Sequence, residues 1–371
     1  MPSHISQLAG DGELSVGLVG LRHMHSQGHL RTLDTLPEVG KIVVWDEDPS
    51  AYDEMRDEAP QTELVRAESF EELLADRGLA YVVAAHRNRD NPDVFCAILE
   101  ADHHLLAEKP FGRNAEDARR VAAAAAKADR QLSVFYTNRF LPLIQQARDL
   151  VRGGALGELY SMEIRALTTQ VRSRGPELWL FDQEQAGGGW LSWLGCHYLD
   201  LFHAIPGDEV ASVSADIATR GYDAVDVEDI ATVSLRMQSG ALAHLHGGYV
   251  LGQSGVGFYD SGYDAYYAFN GRDGRLWWGT DEPDVLHVES TATEIAASPR
   301  RQYRYEGGDS PAYGGVAGEQ FVRQFYAATL GQARVPVPAK AAIRVALITD
   351  AIYESARTGQ RVAVPPPPTE A

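Results

Sequence analysis

Residues 15 to 20, Ser-Val-Gly-Leu-Val-Gly, constrain this chain more than any other stretch. A short apolar run suits a strand buried on both faces, and the glycine that closes it permits a sharp turn. Gln27 to Leu36 is helix-compatible, and Lys41 to Trp45 is a second β-type run that ends on Asp46. Strand, glycine turn, helix, strand, acid is the order of a dinucleotide-binding unit. The acid stands 26 positions beyond Gly20, near the spacing at which a carboxylate accepts hydrogen bonds from an adenosine ribose. An acid there suits a free 2′-hydroxyl and repels a 2′-phosphate, so the expected cofactor is NAD in preference to NADP.

The glycine fingerprint itself is incomplete. Counted from Gly20, the pattern G-x-G-x-x-G requires glycine at two positions that hold Arg22 and His25. Taken alone, the stretch reads better as a structural turn. If it binds a cofactor, Gly20, Leu21, Arg22, His23 and Met24 form the loop. Arg22, His23 and His25 would then add cationic side chains to the backbone donors that face a pyrophosphate.

Strand and helix patterns continue to alternate. Glu63 to Arg66, Ala80 to Ala85, His104 to Ala107 and Leu132 to Tyr136 read as strands. Ser69 to Leu74 with Ser69 as cap, Asp93 to Ala101, and the alanine-rich Ala115 to Ala128 read as helices. This predicts a doubly wound parallel α/β sheet that binds its ligand beyond the carboxyl ends of the strands. Lys109, between Glu108 and Pro110, falls at such an end. It is a candidate proton donor or substrate anchor, and the alternative is a surface lysine beside a turn.

The second half centres on residues 187 to 201, three glycines followed by an apolar run. The glycines leave room for something to approach the backbone, and the run predicts a helix that sets Trp193 and His197 on one face with Asp200 near the same stripe. Glu209 to Ile217, Ile230 to Gln238, Ala241 to Val250, Ala265 to Asn270 and Gly274 to Trp278 read as strands, with turns at Ser239-Gly240 and Arg272-Asp273-Gly274. His244 and His246 share a strand face, but no third ligand stands at a readable spacing, so no metal is assigned. Gly252 to Tyr267 reads as a loop, and the tail from Pro365 to Ala371 as disordered.

At 371 residues the chain is too long for one ordinary core, which predicts two domains. The net charge of −19 without a basic cluster excludes a nucleic-acid partner. No apolar run is long enough to span a membrane, and Met1 to Glu13 lacks the regions of a signal peptide, so a cytoplasmic protein is expected. Two cysteines, Cys96 and Cys196, cannot build a disulfide framework. Only four lysines occur, and both a salt-adapted surface and ordinary acidic solubility fit that composition.

Several segments, in order, resemble the Gfo/Idh/MocA oxidoreductases, the family of glucose-fructose oxidoreductase and inositol dehydrogenase. Glu108-Lys109-Pro110 is similar to the family's EKP signature, Asn138-Arg139-Phe140 to its NxRF segment, and Gly153 to Glu158 to its GxxGE turn. Gly187 to Asp200 resembles GGGxxxDxGxHxxD, and Ala351 to Gly359 resembles the closing helix. The resemblance implies a Rossmann domain over residues 1–136 and an α/β domain with a large, mostly antiparallel sheet over residues 137–371. It also implies hydride transfer between NAD(P) and a sugar, polyol or related carbonyl compound, and a homodimer or homotetramer. Lys109 matches the family's EKP lysine, which contacts substrate and assists proton transfer, His197 the histidine used as acid or base, and Asn88 an asparagine of the nicotinamide-side loop; Glu108 and Lys109 are also expected beside the cofactor. Three departures from the pattern stand out: Trp193 replaces an aspartate, where it could form a stacking wall for a sugar; Arg22 and His25 replace loop glycines; and His86-Arg87 replaces Thr-Pro. These losses keep a second reading open, a non-catalytic nucleotide- or sugar-binding member that acts as a sensor or regulatory protein.

Overall fold

The computed structural model describes residues 12–169, 171, 174–221, 225–251, 262–293 and 296–368. It divides into two compact units, one drawn from Met1–Gly112, Glu116–Phe140 and Gly307–Ile343, the other from Arg113–Ala115, Leu141–Glu306 and Arg344–Ala371.

The first unit is built on β1 (Leu14–Val19), α1 (Ser26–Asp34), β2 (Val39–Trp45), α2 (Ser50–Met55), β3 (Glu63–Arg66), α3 (Phe70–Ala75), β4 (Leu79–Ala84), α4 (Asn91–Glu100), β5 (Leu105–Ala107), α5 (Ala115–Ala128) and β6 (Leu132–Val134). The strands form one six-stranded sheet in the order β3-β2-β1-β4-β5-β6, every pairing parallel. That order reverses between β1 and β4, the switch point at which a doubly wound sheet opens a crevice. Apolar residues dominate β1 and β4, and all residues but the half-buried Ser15 and Ala80 are buried, as a sheet covered on both faces requires. The predicted cap at Ser69 is present: its hydroxyl accepts the amide of Glu72 at 3.1 Å. Element ends differ from the sequence-based ranges by one or two residues, the usual fraying of such boundaries.

The second unit carries α6 (Pro142–Arg152), β7 (Leu159–Thr168), α7 (Gln183–Ala186), α8 (Cys196–Ala204), β8 (Val210–Ala218), β9 (Ile230–Met237), β10 (Leu242–Gly248), β11 (Tyr263–Gly271), β12 (Gly274–Gly279), β13 (Glu282–Ser290), β14 (Arg300–Arg304) and β15 (Val362–Ala363). Its nine strands lie in the order β14-β13-β12-β11-β7-β10-β9-β8-β15, antiparallel except for β10 against β7. Along β9 buried and exposed residues alternate, so one face of this sheet is covered and the other is not. The turns at Ser239-Gly240 and Arg272-Asp273 join β9 to β10 and β11 to β12, as the sequence predicts. The sequence pattern does not mark β7, although it lies inside the sheet. Its Glu163 and Arg165 interrupt the apolar signal because every second residue leaves the core.

Residues 252–261 of the expected loop and 369–371 of the expected tail lie outside the described residues, whereas Tyr263 to Tyr267 belong to β11. Among the described residues, no helix is long and apolar enough to cross a membrane. Both cysteines are buried thiols outside any disulfide.

Candidate functional site

Gly20 ends β1 in a left-handed conformation, φ 88°, and a Cβ there would collide with the carbonyl oxygen of Ala85 after β4. Only glycine lets the β1 turn lie this close to the neighbouring strand. Asp46 directly follows β2. One of its carboxylate oxygens accepts the amide of Arg22 and the other that of Asp48, each at 2.8 Å, so the acid fixes the loop after β1 against the loop after β2.

The cationic role expected of this loop is not what the structure shows. Arg22 sends its guanidinium to Asp48, Ser50 and Glu54, with Nε 2.8 Å from Asp48 and Nη2 2.7 Å from Ser50. Its charge is therefore already matched by two carboxylates. His23 is buried and His25 mostly so, and desolvation outweighs the attraction of Glu108, which leaves His25 with a pKa of about 4 and His23 well below its ordinary value. At neutral pH neither ring is a cation. Arg87, the charge gained in the His86-Arg87-Asn88 turn, is likewise held by Asp90 at 2.6 Å and Glu47 at 2.8 Å.

These neutral histidines make stability depend on pH. In the unfolded chain each takes up a proton near pH 6.5, while folded His25 resists down to about 4. The unfolded state therefore binds more protons between those values, and stability is complete above pH 6.5 and falls as pH drops toward 4. For His25 the loss amounts to about 3 kcal/mol. Burial pushes the Glu108 carboxyl up, but His25, His29 and Lys109 outweigh it and hold the group well below its ordinary value. Its own contribution is accordingly lost only at lower pH. A calorimetric melting series from pH 7.5 to 4.5 is expected to show Tm falling through this window, and H25Q, which cannot titrate, should flatten the slope.

Lys109 follows β5 at the end of the sheet, as expected, and it is fully buried together with Glu108, which excludes an ordinary surface lysine. The Glu108 carboxylate accepts the Lys109 amide at 3.0 Å on one oxygen, and His29 Nε2 lies 2.9 Å from the other. The buried Glu108 carboxylate is thus given a hydrogen-bonding partner on each oxygen, the arrangement that makes a buried carboxylate tolerable. Asn88 is also fully buried, in the turn between β4 and α4. Sequence reasoning missed Asn91, whose side chain accepts the His86 amide at 3.1 Å and donates to the Pro110 carbonyl at 2.9 Å. It ties the β4 turn to the turn carrying Lys109, and its only signal was an asparagine ahead of a helix-starting proline.

In the second unit the three glycines do make room, but for other parts of the protein itself. A Cβ at Gly187 would strike Arg113, one at Gly188 the Tyr353 hydroxyl, and one at Gly189 the backbone carbonyl of Glu228. Glu228, another residue the sequence did not reveal, is buried and uses both carboxylate oxygens: Gly189 donates its amide to one at 2.8 Å, Leu191 to the other at 2.9 Å. The Tyr353 hydroxyl adds a third hydrogen bond at 3.1 Å. Burial nevertheless raises the Glu228 pKa, against these donors.

The apolar run is not one uniform α-helix. Leu191–Gly195 forms a π turn, and α8 begins only at Cys196. Such turns widen a helix locally and recur at functional sites. His197 and Asp200 are buried on α8. Trp193 is fully buried, edge-on to Trp179 at 6.0 Å and covered by the Arg174 guanidinium at 5.9 Å. Trp190 is a core residue, stacked on Tyr198 at 5.7 Å. His244 and His246 stand on β10 opposite Glu163 and Arg165 of β7. Among the described residues, no group of three His, Cys, Asp or Glu side chains could hold a metal ion.

A doubly wound sheet in this strand order, with a glycine turn after its first strand and an acid after its second, defines a dinucleotide-binding protein. Residues 14–136 match the oxidoreductase family with an NAD-binding Rossmann fold, and residues 144–276 match the GFO/IDH/MocA C-terminal domain. The chain belongs to the Gfo/Idh/MocA family. It is 24% identical over 361 residues to the scyllo-inositol 2-dehydrogenase (NADP(+)) IolW of Bacillus subtilis, a match that covers 93% of this chain and 94% of that protein. With the 1,5-anhydro-D-fructose reductase of Ensifer adhaerens it shares 27% identity over 191 residues, spanning 51% of this chain and 56% of the relative. The fold superimposes on levoglucosan dehydrogenase solved with NADH and levoglucosan, with a TM-score of 0.82 at 21% identity, covering 95% of this chain and 99% of that one.

Proposed function

We propose that this protein is an NAD-dependent dehydrogenase or reductase that moves a hydride between the nicotinamide and a hydroxyl or carbonyl carbon of a sugar or polyol. The observation that carries the reading is Lys109, fully buried at the carboxyl end of β5 beside an equally buried Glu108. A lysine placed there at the cost of desolvation is hard to account for by solubility, and proton transfer at a strand end is the chemistry it suits. The residues of the β1 turn fit a dinucleotide. Gly20 supplies the turn, and the bulky side chains at 22 and 25, which replace loop glycines, are drawn to Asp48 and Glu54 and to Glu108. Residues 20 to 24, with Asp46 and Asn88, would hold the cofactor, while both oxygens of Glu108 are already engaged by His25, His29 and the Lys109 amide.

When bound, the nicotinamide supplies or accepts the hydride. In its neutral form Lys109 takes the hydroxyl proton in the oxidising direction, and in its protonated form it gives a proton to the carbonyl oxygen in the reducing one. His197 serves as a second acid or base, and Trp193 belongs to the substrate side. Sugar-like substrates are supported by the relatives, whose names specify an inositol, an anhydrofructose and levoglucosan. Assembly as a homodimer or homotetramer is supported by exposed Tyr160 on β7 and Leu242 on β10, and light scattering measures it.

NAD is preferred over NADP because Asp46, Asp48 and Glu54 gather around a single Arg22 and leave the corner after β2 negative. D46N is expected to shift the NADPH-to-NADH affinity ratio toward NADPH by about tenfold, since one unfavourable charge near the 2′-phosphate is removed. An unaltered ratio in calorimetric titration would assign the ribose to another group. The decisive experiment is titration of the purified chain with NAD(H) and NADP(H), followed by a turnover screen over sugars and polyols. Micromolar NAD binding with turnover supports the enzyme. Binding of a nucleotide or sugar without turnover establishes the regulatory reading, which the altered loop and Trp193 favour.

A further inference from the structure

His25 stands where the fingerprint has its last glycine, and nothing in the binding of a pyrophosphate requires it. Its Nδ1 lies 3.2 Å from the same Glu108 oxygen that His29 approaches, and 3.2 Å from the Tyr313 hydroxyl. Its ring stacks on Tyr313, with centroids 4.7 Å apart and planes at 30°. His29, one turn along α1, meets Phe135 and Tyr313 edge-on at 4.5 and 5.1 Å. Tyr313 is itself anchored, its amide donating to the Thr32 hydroxyl at 2.8 Å.

The Glu108 carboxylate is thereby divided. One oxygen faces two imidazoles of the α1 region, and the other accepts the backbone amide of Lys109. Rotation of the carboxylate would break both sets of bonds, so whatever fixes the first oxygen fixes the acceptor of the second. Burial keeps His25 neutral, and in that form its Nδ1 proton is the one that Glu108 can accept. The ring therefore acts as a fixed dipole at neutral pH and adds no charge beside Lys109.

We infer that His25 is a positioning residue for Lys109: clamped by Tyr313, it orients the Glu108 carboxylate that holds the Lys109 backbone. The inference rests on the assignment of Lys109 to proton transfer above. It has an unusual corollary, that restoring the fingerprint glycine at position 25 harms the protein's chemistry without improving its hold on the cofactor.

The test compares the full-length chain with H25G and H25Q by three measurements. Amide hydrogen exchange, read on peptides spanning the β5 end, is expected to speed up about tenfold or more at Lys109 in H25G and to return toward the parent rate in H25Q, whose amide can still donate to Glu108. The dissociation constant of NADH, by fluorescence, should stay within about threefold in both variants. With the best substrate of the screen, kcat should fall about tenfold or more in H25G, with KM little altered, and recover in H25Q. Unchanged exchange at Lys109 overturns the inference, as does faster exchange with unchanged kcat. A loss of NADH affinity that matches the loss of turnover makes His25 a cofactor ligand instead. Should the parent chain turn nothing over, the proposed function fails, while the exchange measurement still decides whether His25 positions Lys109. If H25G does not fold, the comparison of the parent with H25Q and Y313F carries the exchange test, Y313F being expected to loosen Lys109 less than loss of the imidazole.

Discussion

Replacing Lys109 by alanine is expected to lower kcat by about a hundredfold to ten-thousandfold, the range supplied by a positioned proton donor. NADH affinity should change little. The side chain is fully buried, so the substitution has a second consequence that must be separated from the first. It removes one of the positive charges that favour the ionised Glu108 carboxyl, and a buried charge left without its counter-charge costs up to about 3 to 5 kcal/mol. A lower Tm is therefore expected in K109A whether or not the lysine takes part in chemistry. The double variant K109M/E108Q resolves the two effects, because it removes both charges and keeps much of the volume. Its Tm should recover toward the parent value, whereas its turnover should remain as low as that of K109A. Recovery of turnover along with stability would show Lys109 to be structural and would remove it from the mechanism.

A large loss of stability is expected from a single methyl group at position 189. A Cβ on Gly189 would meet the Glu228 carbonyl oxygen and carbon, which are backbone atoms and cannot swing aside as the end of a side chain could. Relief by backbone movement would pull the Gly189 and Leu191 amides away from the Glu228 carboxylate. An acceptor buried without its donors costs about 1 to 3 kcal/mol for each lost partner, and more for a charged group. Taken together, G189A should lose about 4 kcal/mol or more, a magnitude reserved for a few mechanisms of which backbone overlap is one. G307A is the control, since nothing lies within 4 Å of a Cβ at Gly307 and its backbone is not left-handed. It should stay within about 0.5 kcal/mol of the parent. Denaturant unfolding of both variants measures the contrast. An equal, small effect in G189A would mean that the glycine run yields easily and that Glu228 does not hold it rigidly.

The glycine run shows how far the sequence is informative. Three consecutive glycines announce close approach, and close approach is what the structure contains. The approaching groups are Arg113, Tyr353 and Glu228, which lie from 39 to 165 positions away along the chain, so no local pattern could name them. The loop after β1 gives the same lesson with the opposite sign. Arg22, His23 and His25 read as a cationic patch because residue type is all that the sequence displays. Burial and the partners Asp48, Glu54 and Glu108 cancel that charge, and they become neighbours only when β2 and β5 are laid in the sheet.

By itself the sequence determined the alternation of strands and helices in the first unit, the glycine at the end of β1, the acid at the end of β2 and the lysine at the end of β5. These follow from periodicity, turn chemistry and spacing, which act over a few residues and need no knowledge of the fold. Only the tertiary structure decided that β7 lies inside the second sheet, that a π turn precedes the helix of His197, and that Asn91, Glu228 and Tyr313 serve the residues around them. Strand order and side-chain partnership arise from contacts between segments far apart in the chain, where the free energy of burial and hydrogen bonding depends on what tertiary packing brings close.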